Sequence, residues 1–502
     1  MFNIKLSPFL KNIVTTTITS FLSIISVIFI TRFLAQGLGP EEFGAYSLAR
    51  RIIANIIPVA TLLINYALAR YIATTNDSKL RGSYVVSSII LTGTVLILLF
   101  IIAISASKQL SYLIFHSHEH LNLYYASFFL LVGYCIFIIT YAFFRGVQKF
   151  NIANSLQLCI MAIIPLIISY NFASKKNSSF IMFLFGMAFF LAVIPLVLIL
   201  MKTKLPRIKD IKTSMKTLLK FSIPRVPGGF ILAGLLTLGP LLAGLILGLE
   251  ESGYFVVGQS AFRVMGSAIV AFGLVALPKV SQLVAEDNKE FLKSRIEDIL
   301  IMLFQLGLFF TIHIYIWSKE IVLVWLGPEY REAVPIMKIM ILSLGPYLGF
   351  VILRSIVDAI EVRAINTLNL LISFVLAAIS SVVLFYAGFG ILGLAVGTTI
   401  GFVTLGILTS YYLVRRYKIP FDNFMFKWVL VLNVLAAGIV LITKPFIAST
   451  LSQYKLLLAA LIFESLLFLF YLYIFYKKDV RWFSEIKKRI FSEKMGAGSI
   501  SQ

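Results

Sequence analysis

Four arginines lie where the chain is otherwise apolar: Arg50, Arg51, Arg225 and Arg263, with Arg32 closing the first apolar run. A guanidinium stays charged and presents a planar fork that meets phosphate or carboxylate through two hydrogen bonds at once. Inside an apolar segment such a group is costly unless it faces a cavity or a partner. Arg263 sits about 11 residues into its segment, roughly 16 Å at 1.5 Å per residue, which is near the middle of a bilayer. Arg50 and Arg51 lie about 10 Å from the outer end of theirs, and Arg225 about as far from an inner end. The acids within these segments are essentially Glu464 and, near one end, Asp358. An arginine-rich, acid-poor centre is suited to holding an anion. Arg50, Arg51 and Arg225 would serve equally well as interface anchors that snorkel to water, whereas Arg263 is too deep for that.

The remaining candidates carry weaker chemistry. His313 and Glu464 are mid-segment titratable groups that either couple to an ion, proton or sodium, or are hydrogen-bonded structural residues. Pro224-Arg225-Val226-Pro227-Gly228-Gly229 has two prolines without N–H donors and two flexible glycines, so it marks a hinge or a late helix start. Pro240, Pro278 and Pro346 are ordinary kink positions. Glu41-Glu42 and Glu250-Glu251 precede apolar runs, where carboxylates suit a helix N-terminus better than they suit a bound cation. His116, His118 and His120 alternate in a loop, a pattern that fits solvation more readily than a metal. Cys135 and Cys159 lie in apolar stretches and suggest neither a disulfide framework nor a metal site. No nucleotide-binding loop is present and no cofactor is expected.

These groups must be positioned by membrane helices. The 502 residues are 60% hydrophobic and 13% charged, against about 25% charged in soluble domains, and the mean hydropathy is +0.96. Apolar runs of 18 or more residues predict about fourteen transmembrane helices and no strands, an all-α polytopic architecture. The first run ends at Thr31-Arg32 without a small-residue cleavage pattern, so it is read as a span and not a leader. With the N-terminus inside, 31 of the 44 Lys and Arg fall on inner connections and nine on outer ones. That asymmetry predicts a cytoplasmic-membrane protein with both termini cytoplasmic, and it explains a net charge of +22 without nucleic acid.

An offset of 209 residues exposes an internal repeat. Leu10-Lys11 falls on Leu219-Lys220, Glu41-Glu42-Phe43-Gly44 on Glu250-Glu251-Ser252-Gly253, Arg70 on Lys279, and Arg145 on Arg354. The offset spans six helices, so both copies have one orientation, related by an axis along the membrane normal. The chain divides into an N-terminal lobe (1–201, helices 1–6), a basic connector (202–220), a C-terminal lobe (221–418, helices 7–12), an extra helix pair (419–476) and a basic tail (477–502). Trp482, Phe483, Ile486 and Ile490 give the tail an amphipathic face suited to an anionic leaflet. Two such lobes facing each other suggest a transporter with its site between them.

The segment from Thr31 to Ser47, TRFLAQGLGPEEFGAYS, resembles the opening of the polysaccharide flippases, the O-antigen and capsule transporters of the multidrug/oligosaccharidyl-lipid/polysaccharide exporter superfamily. Leu68-Ala69-Arg70-Tyr71-Ile72, Arg145-Gly146-Val147-Gln148-Lys149-Phe150 and Leu326-Gly327-Pro328-Glu329-Tyr330-Arg331 are similar too. The resemblance implies two six-helix lobes around a cationic cavity, translocating an undecaprenyl-pyrophosphate-linked oligosaccharide by alternating access. Membrane lipids and other polysaccharide assembly proteins are the implied partners. By analogy with the peptidoglycan-precursor branch, the extra pair would cradle the lipid tail. The alternatives are a multidrug cation efflux antiporter, which would need cavity acids, and a membrane polymerase or glycosyltransferase, which would need a larger extramembrane loop or a carboxylate constellation.

Overall fold

The computed structural model describes residues 8–175, 177–203, 206–266, 289–360, 365–419, 423–450 and 453–477. The amphipathic tail, Pro278, Lys279 and the second half of the eighth expected span lie outside the described residues, so the expectations attached to them stand as they were. Among the described residues the chain is helical and has no strand. Eight helical stretches are long and apolar enough to cross a membrane, or ten when two bent pairs are each taken as one span. The stretch 365–417 contains two of the expected spans, α17 (Ile365–Leu384) and α18 (Gly390–Tyr417), which reverse on each other at Phe385–Phe389.

The surface is inverted relative to a soluble protein. On α4 (Ser78–Ser105) Ile97, Leu98, Phe100, Ile101 and Ile102 are exposed, while Ser83, Ser87, Ser88 and Thr92 are buried. Small hydroxyl residues let helices approach closely and bond across the interface, and lipid solvates the apolar face. Thus Ser83 Oγ lies 2.7 Å from Ser214 Oγ, and Ser87 Oγ donates to the Ile211 carbonyl at 3.0 Å.

The repeat appears in the backbone. Before α2 (Pro40–Ala60) stands Gly39 at φ 81°, and 209 residues later, before α13 (Leu249–Gly258), stands Gly248 at φ 130°, values that favour glycine. The two helices cross at Gly44 and Gly253. A Cβ on Gly44 would come 1.8 Å from the Leu249 carbonyl oxygen, and one on Gly253 would come 2.5 Å from that of Pro40. Residue 40 plus 209 is 249, so each copy touches the other through the same two positions, as a pseudo-twofold contact requires. Glu41, Glu42, Glu250 and Glu251 occupy the first turns of these helices, in keeping with the dipole reading.

Packing differs between the two ends of the molecule. At the end that the charge count assigns to the outside, one apolar core joins Leu38, Phe43, Phe115 and Leu123 of the first half to Leu249, Val322, Leu326 and Tyr330 of the second. At the opposite end the cores are separate. One holds Ile64, Leu68, Ile72, Tyr84, Phe144 and Leu218, and the other runs through the second half from Leu235 to Ile419.

The basic connector 202–220 is largely helical: α11 (Ile208–Ser222) runs through a 3₁₀ turn at Ile223–Arg225 into α12 (Val226–Ile246) as one 39-residue stretch. The α-helix thus starts only after Pro224 and Arg225, Pro227 sits in its first turn, where the missing N–H costs nothing, and Gly228 and Gly229 are helical. A bend between two helices lies against this start. After Pro58, α2 ends at Ala60 and α3 (Ile64–Ala73) leaves at 51°, with Leu62 and Leu63 held at φ 49° and 50°. A left-handed leucine costs roughly 1–2 kcal/mol, so surrounding packing must hold the bend. Gly229 approaches Leu63, and Ser222 Oγ donates to the Leu63 carbonyl at 3.3 Å.

Candidate functional site

About two turns along α2 from the glycine crossing, the structure brings three of the five expected arginines together. Arg50 and Arg51 come from α2, and Arg263 from the helical residues 260–266 that continue α13. Arg51 lies close enough to both Arg50 and Arg263 to feel their charge, and Arg50 and Arg263 feel each other. Arg51 is only 5% exposed, and its Nη1 donates to the Leu236 carbonyl at 3.1 Å and to Gln259 Oε1 at 3.0 Å. Gln259 is fully buried at the turn after α13, and its Nε2 donates to the same Leu236 carbonyl at 3.3 Å. Arg51 is thereby fixed between the two halves of the chain.

Arg50 and Arg263 are surrounded by protein yet accessible, so they line an internal space. Arg50 Nη1 donates to the Tyr46 hydroxyl at 3.2 Å, and Tyr134 is near enough to interact with the same guanidinium. Asn55 Nδ2 donates to Thr237 Oγ1 at 2.6 Å one turn below. Among the described residues no carboxylate pairs with Arg50 or Arg51; their partners are a phenol, an amide and a carbonyl. Uncompensated positive charge in a site shielded from bulk water draws anions strongly.

The other two arginines lie elsewhere, which corrects the expected five-residue set. Arg32 Nη1 donates to the carbonyls of Val324 and Trp325, at 2.9 and 2.8 Å, at the end of α14 (Lys289–Trp325). It satisfies carbonyls that a helix C-terminus leaves open, and so acts as a cap. Beside it Trp325 Nε1 donates to the Ile28 carbonyl at 3.0 Å and the Tyr330 hydroxyl to that of Ala35 at 2.8 Å, so the outer end is also tied by hydrogen bonds. Arg225 lies over the Phe221 ring at 3.8 Å and donates to the Phe221 carbonyl at 2.5 Å, while Arg70 covers the same ring at 4.9 Å.

His313 and Glu464, far apart in sequence, meet. Glu464 on α20 (Gln453–Lys477) places Oε2 2.6 Å from His313 Nδ1 on α14, and its Oε1 accepts from Trp317 Nε1 at 2.7 Å. Lys444 belongs to α19 (Asn423–Thr450); its Nζ is 2.8 Å from Glu320 Oε2 and donates to the Ile316 carbonyl at 2.7 Å. Asp358 accepts from Asn366 Nδ2 at 2.8 Å and is structural. His118 stacks on Tyr112, and His120 lies 3.9 Å from Glu42; among the described residues no three His, Cys, Asp or Glu come together to hold a metal. Both cysteines are unpaired.

Sequence reasoning missed Gln259, Tyr46, Tyr134 and Trp317. Gln259 had a signal, since it is the repeat mate of Arg50, one offset of 209 away.

The sequence pattern of the polysaccharide biosynthesis protein family matches residues 9–284, more than half of the chain. The chain belongs to this family. A putative O-antigen transporter of Shigella flexneri is 24% identical over 315 residues, covering 60% of this chain and 72% of that protein. With eight or more helical stretches able to cross a bilayer, this family member is a multi-pass membrane protein. Its fold is shared with the lipid II flippase MurJ in an inward closed conformation, at a TM-score of 0.73 and 15% identity over 93% of this chain and 100% of that one. An inward-facing multidrug resistance MATE transporter has a TM-score of 0.62 at 16% identity, over 81% of this chain and 98% of that one.

Proposed function

We propose that this family member carries a polyprenyl-pyrophosphate-linked oligosaccharide from the inner to the outer leaflet of the cytoplasmic membrane by alternating access, for surface polysaccharide assembly. The observation that carries this reading is the convergence of Arg50, Arg51 and Arg263 between the halves of the chain, just below their closed glycine crossing. The polyprenyl tail is already at home in lipid, so only the sugar and pyrophosphate need shielding. Positive charge offsets the hydration that pyrophosphate loses, with Arg50 and Arg263 facing the space and Arg51 holding the frame. Binding stays modest because release must follow.

The joined core at one end and the divided cores at the other fit an inward-open stage of the cycle. In this reading both termini are cytoplasmic, the orientation that the charge asymmetry supports, and residues 1–201 and 221–418 are the rocking lobes. For the tail, an apolar cleft of 490 Å³ lies between α14, α16 (Leu344–Ile360) and α18, lined by Phe304, Leu308, Pro346 and Ile407. The extra helix pair α19–α20 is seated on α14 through its polar residues. A coupling ion, proton or sodium, would supply the driving force.

The test is transport by purified protein in proteoliposomes, with a labelled polyprenyl-pyrophosphate oligosaccharide and an organic cation offered in parallel. Flipping of the lipid-linked sugar without cation export supports the reading. Cation export without sugar flipping replaces it with the antiporter.

A further inference from the structure

Outside the arginine site, one buried group of titratable side chains is assembled from three helices and serves neither the glycine crossing nor the anion site. It steps along α14 from Glu320, five residues before the helix end at Trp325, through Ile316 and Trp317 to His313, twelve residues in and about 18 Å deep. Lys444 on α19 bridges the Glu320 carboxylate and the Ile316 carbonyl, and covers the Trp317 ring at 4.9 Å. Trp317 donates to Glu464, and Glu464 faces His313.

His313 is 4% exposed, with its ring stacked on Phe309 at 4.1 Å. Its Nδ1 is 2.6 Å from Glu464 Oε2, although not aligned as a regular hydrogen bond. Two lone pairs at that distance would repel, so the pair holds at least one proton. Its Nε2 is buried with no hydrogen-bond partner among the described residues. With a neutral imidazole the His313–Glu464 pair bears one negative charge, stabilised by the Trp317 N–H and by the proton the pair holds. A second proton cancels that charge, at the cost of a charged N–H at Nε2 that has no acceptor while α20 stays seated on α14. Both states are therefore costly in different ways, and the difference lies in how α20 docks. Beside the pair stand the neutral donor Trp317 and the charged groups Lys444 and Glu320, which neutralise each other.

We propose that His313, Glu464 and Trp317 form a proton-binding site within the bilayer that couples proton uptake to the seating of the C-terminal helix pair on α14. The site itself is independent of the cargo; its use to drive transport rests on the function proposed above.

Trp317 is a built-in reporter, because its indole N–H is bonded to Glu464, the carboxylate that faces His313. The full-length protein is reconstituted in liposomes and its fluorescence is followed from about pH 5 to 8, with Trp317→Phe subtracted to isolate the signal. The wild type is expected to show one sigmoidal transition, lost in Glu464→Gln, which keeps the hydrogen bond but not the charge. His313→Gln serves as a second variant should Glu464→Gln fail to fold, and is expected to lose the transition too. A flat wild-type signal, or a transition that survives in the folded variants, overturns the site. In the flipping assay an imposed pH gradient is expected to change the wild-type rate at least about fivefold and that of Glu464→Gln little; an equal response in both overturns the coupling. If the Trp317 fluorescence shows the expected transition but no lipid-linked sugar is flipped, the proton site stands and the proposed cargo falls.

Discussion

The molecule keeps two kinds of charge in its interior. Between the lobes, Arg50 and Arg51 are held by a phenol, an amide and a carbonyl, with Arg263 beside them, and positive charge accumulates. On the far flank of the second lobe, Lys444 meets Glu320 and cancels its charge, and Glu464 has His313 and Trp317 as partners. Buried charge matched on the spot contributes to how helices dock, and it asks nothing of a ligand. Buried charge left unmatched is tolerated where an internal space admits an anion. The contrast sets the proposed anion site apart from the helix-docking cluster more sharply than depth in the membrane does, since both clusters lie deep.

Substitutions that swap the two behaviours put the contrast at risk. The largest effect is expected at Arg51, which serves both as charge and as tie. Arg51→Ala removes two bonds from a charged donor and strands Gln259, which should cost about 2–3 kcal/mol of stability and lower flipping more than tenfold. Thermal unfolding of the purified protein and the liposome assay read the two parts. Next comes the Lys444–Glu320 pair. Lys444→Met or Glu320→Gln alone should each cost about 1–2 kcal/mol, less than a fully buried pair because both groups are partly open, while the double variant should recover most of the loss. A double variant no better than the singles would mean that the pair is not a docking unit. Trp317→Phe, which deletes one neutral donor to a carboxylate, should lower stability by about 1–2 kcal/mol without changing the cargo carried. Arg32→Gln is the smallest: a lost helix cap of about 0.5–1 kcal/mol, with flipping within twofold of wild type. A large transport defect there would return Arg32 to the anion site.

Much of this was legible in the sequence because the membrane enforces simple rules. Apolar length gave the spans, and the match of Gly44 with Gly253 gave a repeat whose members turn out to touch. Depth alone singled out Arg263. What stayed hidden depends on side-chain direction and distant partners. Arg32 and Arg263 are the same residue type near apolar segments, and only the carbonyls of Val324 and Trp325 make one of them a cap. Lys444 falls within the expected extra helix pair, but its partner Glu320 lies 124 residues away in sequence, and nothing in either residue type pairs them. The prolines of the Pro224 to Gly229 sequence drew attention to a helix start that is nearly regular, while the bend it supports is made by two leucines that no turn rule would choose.

The central claim is that the arginines between the lobes hold the pyrophosphate during passage. It is tested most directly by the initial rate of flipping of a polyprenyl-pyrophosphate oligosaccharide by Arg263→Ala and wild type, at matched amounts of folded protein in liposomes. Loss of one charge-assisted contact predicts a rate lowered at least about tenfold, at an unchanged unfolding temperature. A variant that flips at the wild-type rate would contradict the account.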